Sequence, residues 1–303
     1  MPHFTSLDGL HLQGAWLTIG VFDGVHRGHQ EIIRQLTAGA HQSGAPAVLL
    51  SFFPHPAVVF GVKDLKCLTT PEERAEIIES LGVDYVVTQT FDKSIASQTA
   101  EEYMALMHRH FGLNKLLIGH DFALGKGRAG NYEKLTEIGR ELGFDVQRVE
   151  ALHFEDGIVS SSVIRQRLAD GDVAGVAAKL GRYFALSGPV NPGDGRGRTI
   201  GIPTANVEPP AEKALPANGV YACYAWVEGQ KHPAVTNVGV RPTFGGENIQ
   251  RVEAHLLDAY GDYYGKVMRL EFVERLRGEQ KFPSVEALIS QIKTDIERAR
   301  RVL

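Results

Sequence analysis

Two histidines three positions apart, His26 and His29, stand in the string Gly20-Val21-Phe22-Asp23-Gly24-Val25-His26-Arg27-Gly28-His29-Gln30. An apolar run at Ala15–Phe22 precedes them and a helical pattern over His29–Gln42 follows, so the string spans a strand-to-helix turn. The first turn of a helix offers unpaired N–H groups and the positive end of the dipole, both suited to phosphate oxygens. Gly24 and Gly28 let the backbone approach such a ligand, and the two imidazoles would point donors at the same phosphates. A His-x-x-His pair alone is also compatible with zinc or with a structural role. The complete His-x-Gly-His string after a strand favours nucleotide binding.

A second constellation lies far along the chain. Gly193-Asp194-Gly195-Arg196-Gly197-Arg198-Thr199-Ile200-Gly201-Ile202-Pro203-Thr204-Ala205-Asn206 contains no GxxxxGK[S/T] phosphate loop. If 204–206 is extended, Thr204 and Asn206 face one side and present a hydroxyl and an amide carbonyl to a single hard cation. Water and nucleotide phosphates would complete that site, with Gly195, Gly197 and Arg198 in the loop beside it. Arg251, Glu253 and His255 alternate along a strand-like segment and read either as a reactive face or as its wet side. Gly125-Lys126-Gly127-Arg128-Ala129-Gly130 matches GxGxxG literally. It neither directly follows a strand nor falls in the first βα unit, so a glycine-rich loop over a ligand is the better reading than a dinucleotide fingerprint.

The elements that must position these residues divide into two grammars. From Ala15 to about Glu150, short apolar runs alternate with helical patterns, and the capping-box spacing occurs at Thr70–Glu73 and Thr99–Glu102. Regular alternation predicts a doubly wound α/β domain with a parallel sheet, whose ligands sit at the carboxyl ends of the strands. Helical stretches at Ser161–Ala169 and Asp172–Leu180 close this part, taken as a domain over 1–181. After Gly181 the segments Tyr183–Val190, Gly219–Val227, Pro233–Val238, Gln250–Leu257 and Lys266–Val273 are β-rich and separated by turn residues. They predict an antiparallel β-barrel or sandwich over 182–303. Apolar positions Val285, Leu288, Ile289, Ile292 and Ile296, with Ser284 as N-cap, predict a C-terminal helix packed on it.

Composition bounds the function. At 303 residues and roughly 150 per domain, two cores are expected. A net charge of -4 argues against a nucleic-acid partner, and no apolar run approaches the ~20 residues of a membrane span. Two cysteines and no basic-then-apolar start make a cytoplasmic location the expectation.

The string around His26 and His29 resembles the His-x-Gly-His signature of α/β nucleotidyltransferases. With Phe53-Pro54-His55-Pro56, Gly119-His120-Asp121-Phe122 through Gly125, and Ser160-Ser161-Ser162-Val163-Ile164-Arg165, the wider sequence resembles the bacterial bifunctional riboflavin kinase/FMN adenylyltransferase (FAD synthetase) family. The Pro203-Thr204-Ala205-Asn206 block, Asn237 through Phe244, Arg251 through His255, and Leu276 through Phe282 extend the resemblance over the full chain. It implies ATP-dependent phosphorylation of riboflavin to FMN in the C-terminal domain and adenylylation of FMN to FAD, releasing pyrophosphate, in the N-terminal one. In this reading His26 and His29 hold the phosphates, Ser161, Ser162 and Arg165 clamp the β/γ end, and Pro54, His55, Asp121, Phe122 and Arg277 lie by the flavin. Thr204 and Asn206 hold Mg2+, and Glu253, facing into a barrel mouth, is the general base. Two alternatives stand beside it: only one catalytic module, the other a flavin-binding regulatory module, and an aminoacyl-tRNA-synthetase-like enzyme, which the acidic charge disfavours.

Overall fold

The computed structural model describes all residues except 1–2, 155–156, 194–196, 198–199, 243–247 and 260. The chain forms two compact units, Met1–Ser161 and Ser162–Leu303.

In the first unit, β2 (Trp16–Ile19), β3 (Ala47–Phe53), β4 (Tyr85–Thr90), β5 (Lys115–Gly119) and β6 (Asp145–Val149) form a wholly parallel sheet with β1 (His3–Phe4) on its edge. The order β1-β4-β3-β2-β5-β6 reverses direction at β2, which has β3 on one side and β5 on the other. That reversal opens a crevice beyond the carboxyl ends of β2 and β5.

Helices cover both faces, so β3 reads Ala-Val-Leu-Leu-Ser-Phe-Phe without alternation. Val48 and Leu50 face a core shared with Met104, Met107 and Phe111 of α5 (Ala100–Phe111), while Leu49 packs with Ile33 of α1 (Arg27–Gln42) and Ile78 of α3 (Pro71–Ser80). Both expected capping boxes form, at Thr70–Glu73 and Thr99–Glu102. The sequence did not reveal β1 or the short helices α2 (Pro56–Val59) and α4 (Lys93–Ser97), which are too brief for a periodic signal. The first strand stops at Ile19, short of the expected Phe22, because Phe22 turns into left-handed backbone at φ 52°.

In the second unit, β9 (Phe184–Asn191), β10 (Ala205–Val207), β11 (Gly219–Val227), β12 (Gln230–Pro242), β13 (Asn248–Leu256) and β14 (Val267–Arg277) close into an antiparallel barrel in the order β10-β13-β12-β11-β14-β9. Its interior is filled by Phe184, Phe272 and Tyr221, with the Tyr221 ring set edge-on to Phe272 at 5.3 Å. The terminal helix α9 (Val285–Val302) lies over the outer face of β11, β12 and β14, with Ala299 against Val220, Ala222, Val235 and Leu276. Its most buried residues are Ala299 and Asp295, whereas Val285, from the expected apolar stripe, is exposed. Asp295 takes that place because its carboxylate pairs with Arg277 at 2.8 Å.

Along the chain, the helices α7 (Ser161–Ala169) and α8 (Val173–Leu180) precede the barrel strands, and α8 contacts β9 and β14. Val173, Val176 and Leu180 are buried on it. Full burial of such a side chain contributes about 1.5–3 kcal/mol. A fragment over 162–303 is therefore expected to melt well above one over 182–303, as calorimetry of the two would show; equal melting temperatures would make α8 a bystander to the barrel.

Candidate functional site

The turn after β2 is held in a conformation its residue types resist. Phe22, Gly24 and Val25 have φ of 52°, 79° and 40°, and for Phe and Val such backbone costs of order 1–3 kcal/mol each unless the surroundings over-determine it. Asp23 supplies that constraint. Its buried carboxylate accepts from the N–H of Leu68 at 2.9 Å and of Thr69 at 3.1 Å, and Thr69 Oγ1 accepts from the Gly24 N–H at 3.0 Å. Ser161 Oγ donates to the Asp23 carbonyl at 2.9 Å. Beneath the turn lies the buried Arg74, whose Nη2 is 3.9 Å from Asp23 Oδ1 and whose Nη1 donates to Ser51 Oγ at 2.8 Å. Ser51 Oγ in turn donates to the Val21 carbonyl at 3.0 Å.

The turn delivers His26 as N-cap of α1. Its Nδ1 accepts from the His29 N–H at 3.3 Å, which leaves Nε2 to carry the ring proton. The His26 and His29 rings stack 3.6 Å apart at 16°. Gly28 permits this, since a Cβ there would lie 3.2 Å from the His26 ring. The buried Nδ1 of His29 has no hydrogen-bond partner among the described residues. Burial, then His26 and Arg74, hold the His29 pKa well below the usual histidine value. His29 is thus neutral near pH 7, and an anion arriving beside it would raise its proton affinity.

Next to this turn lies a cavity of about 560 Å³, within the range of small-ligand sites. Gly20, Phe52, His55, Phe60, Phe91 and Tyr103 line one part of it; Asp121, Phe122, Leu124 and Arg128 line the rest. Phe91 packs edge-on to Phe52 at 5.3 Å and to Phe60 at 6.0 Å, so the walls suit a flat aromatic ligand. His55 caps α2 by accepting from the Ala57 N–H at 3.1 Å, and Pro54 and Pro56 flank it in the chain. The Gly125–Gly130 stretch is a cavity wall: Lys126 N–H donates to the Gln98 carbonyl at 2.7 Å and Arg128 Nη2 to the Asp121 carbonyl at 2.9 Å. Phe52, Phe60, Phe91 and Tyr103 escaped the sequence reading because they come from separate elements with no common spacing.

In the second unit, β10, β13 and β12 bring Asn206, Glu253 and Asn237 side by side in register. Their neighbours Ala205, Val252, Ala254, Thr236 and Val238 are buried inside the barrel. Strand alternation therefore puts the three polar residues on its outer face, and Glu253 faces outward instead of into the mouth. Gly193 and Gly197 make close approaches here: a Cβ on Gly193 would lie 2.1 Å from Asn206 Nδ2, and one on Gly197 would lie 2.3 Å from the Ile202 carbonyl and 3.5 Å from Thr204 Oγ1. His255 Nδ1–H donates to the Pro203 carbonyl at 2.7 Å, fixing the approach to Thr204. Thr204 also lines a cavity of about 390 Å³ with Asp262, Tyr263 and Tyr264 at the barrel end. Past Asn237, a Cβ on Gly239 would meet the Glu279 carboxylate at 2.7 Å. Thr204 and Asn206 present the neutral oxygens that a hard cation takes, with Glu253 adjacent.

The Arg277 guanidinium is engaged by Asp295 and lies 5.6 Å over the Phe282 ring. Ser162 is exposed and Arg165 half-buried on α7, in the second unit. Gly195 and Arg198 lie outside the described residues. Sequence reasoning missed Asp23 and Arg74, whose only signals were an acid inside a glycine turn and a cation in the first turn of a capped helix.

Comparison with known proteins accords with this division. The family profile for FAD synthetase matches residues 9–163, and that for riboflavin kinase matches 180–303. The bifunctional riboflavin kinase/FMN adenylyltransferase of Escherichia coli K12 is 39% identical over 292 residues, covering 95% of this chain and 92% of its own. That of Bacillus subtilis is 34% identical over 290 residues, covering 94% and 91%. A crystal structure from Streptococcus pneumoniae, described as a macrolide-efflux protein, superposes with a TM-score of 0.91 at 30% identity over 99% of this chain and 98% of its own. No helix among the described residues is long and apolar enough to cross a membrane.

A depressed His29 pKa has a consequence for stability. The unfolded chain takes up the histidine proton near pH 6.5 and the folded one only at lower pH, so stability present above ~6.5 is lost on acidification through that interval. Urea unfolding of the first unit should weaken from pH 7 to pH 5.5, and His29→Gln should flatten this slope. An identical slope in the variant would show that His29 titrates as an ordinary histidine.

Proposed function

The chain belongs to the bifunctional riboflavin kinase/FMN adenylyltransferase family, and from that premise we propose that it makes FMN from riboflavin and ATP in the barrel unit and FAD from FMN and ATP in the sheet unit. The observation that carries this reading is that each unit has its own phosphate-facing constellation beside a cavity of ligand size. A unit that merely bound flavin would need the cavity but not the stacked histidines at a helix N-terminus, nor the in-register Asn206 and Glu253.

In the sheet unit, a phosphate oxygen of FMN attacks the α-phosphorus of ATP, and the bond to the β-phosphate oxygen breaks to release pyrophosphate. No protein nucleophile is required, so catalysis rests on positioning and on donors aimed at developing charge. The N-terminus of α1, His26 Nε2–H and His29 would hold the transferring phosphate, with Ser161 beside them through its bond to the Asp23 carbonyl. The flavin ring would occupy the Phe52–Phe60–Phe91 cavity, with Pro54, His55, Asp121 and Phe122 around it.

In the barrel unit, which we take to run functionally from residue 182, Glu253 would accept the proton of the riboflavin 5′-hydroxyl as its oxygen attacks the γ-phosphorus and ADP leaves. Thr204 Oγ1 and Asn206 Oδ1 would hold Mg2+, which when bound neutralises phosphate charge. The nucleoside part of ATP fits the cavity by Thr204, Asp262, Tyr263 and Tyr264, with the riboflavin on the far side of Glu253 towards Asn237 and Glu279. Gly195, Gly197 and Arg198 would cover the phosphates and Arg277, through the segment it anchors, the flavin.

Incubation of the purified chain with riboflavin, ATP and Mg2+, followed by separation of FMN and FAD, tests the reading directly; formation of neither would overturn it. His29→Ala should slow FAD formation ~10²–10³-fold and let FMN accumulate, since it removes a donor to transition-state charge. Glu253→Gln should slow FMN formation by up to ~10²–10⁴-fold with substrate affinities largely kept. Thr204→Ala and Asn206→Ala should be partly rescued by raised Mg2+, whereas Glu253→Gln should not. Rescue of Glu253→Gln by Mg2+ would move that carboxylate into the metal shell.

A further inference from the structure

Arg74 is buried in the first turn of α3, close to the positive end of that helix, where a cation is least favoured. A buried cation there needs compensating partners. Four hydrogen bonds define where the fork points: Nη1 to Ser51 Oγ at 2.8 Å and to the Phe52 carbonyl at 3.2 Å, Nη2 to the Thr69 carbonyl at 3.2 Å, and Nε to Thr69 Oγ1 at 3.4 Å. Two of the partner residues, Ser51 and Thr69, lead on to the phosphate turn. Ser51 Oγ holds the Val21 carbonyl, Thr69 Oγ1 holds the Gly24 N–H, and Asp23 receives Leu68 and Thr69. Phe52 lines the aromatic cavity.

We propose that Arg74 is a positioning residue for the adenylyl-transfer step: its planar fork, acting through Ser51, Thr69 and Asp23, locks the Gly20–Val25 turn so that His26 and His29 face the transferring phosphate. The proposal rests on the adenylyl-transfer reading of this unit. Arg74 touches no substrate; it lies behind the turn, with its donors spent on protein oxygens. Lysine cannot reproduce this, because a single ammonium has no fixed fork to span β3 and the Thr69 segment at once. The depressed His29 pKa, caused first by burial, then by His26 and last by Arg74, is compatible with the same placement.

The test uses the full chain, whose riboflavin phosphorylation in the barrel unit serves as an internal control. In Arg74→Lys the charge stays and the fork is lost; in Thr69→Val both charges stay and the link to the Gly24 N–H is lost. FAD formation from supplied FMN and ATP, expressed per folded first unit from denaturant titration, should fall about tenfold or more in each, with KM for both substrates within about twofold. Riboflavin phosphorylation should be unchanged. Because both substitutions act through one turn, the double variant should be no slower than the slower single variant. Full FAD formation in either variant, or losses that multiply in the double, would overturn the proposal. If Arg74→Lys does not fold, Thr69→Val alone decides: a normal rate overturns the inference. Loss of the adenylyl reading itself would appear separately, as unimpaired FAD formation in His29→Ala.

Discussion

A single buried carboxylate governs the nucleotide end of the sheet unit. Asp23 accepts from two successive backbone N–H groups of the Leu68–Thr69 segment, and that anchor is a main offset to the strain of the left-handed Phe22 and Val25. Everything beyond the turn inherits that geometry: the N-cap role of His26, the stacking of His29 on it, and the open first turn of α1. The sheet's reversal at β2 chooses where the crevice lies, and Asp23 with Arg74 chooses what faces it.

The barrel solves a different problem by alternation. A strand has two faces, and the interior here is claimed by Val252, Ala254, Thr236 and Val238, so Asn206, Glu253 and Asn237 can only be presented outside. An outer barrel face would ordinarily be wet. The Gly193 approach on one side and the Glu279 segment on the other turn part of it into a bounded site, and the Arg277–Asp295 pair ties the end of β14 to the terminal helix.

The class of both units, the capping boxes at Thr70 and Thr99, and the strand-to-helix turn carrying His26 and His29 were legible because each is a local pattern of a few residues. What stayed hidden depends on distant partners. The orientation of Glu253 followed from parity with buried neighbours, which the sequence left open between a reactive and a wet face. The aromatic cavity is assembled from α2, β3, α5 and loops, and no period connects Phe60 to Phe91. Asp295 reads as a polar residue on an amphipathic helix until Arg277 is found beneath it. Strand β10 has only three residues, too few for a β signal, yet it closes the barrel.

The brevity of β10 couples architecture to occupancy. Its ladder to β9 and β13 involves only Ala205, Asn206 and Val207, so the seam of the barrel is its thinnest joint, and Asn206 sits in the middle of it. A ligand gripped, as proposed, by Asn206 and Thr204 on one edge and Glu253 on the other would fasten that seam from outside, its binding free energy added to the closed form alone. Amide protons of β10 would then exchange with solvent at a rate set by how tightly that ligand is held, making the seam a reporter of binding as well as a wall.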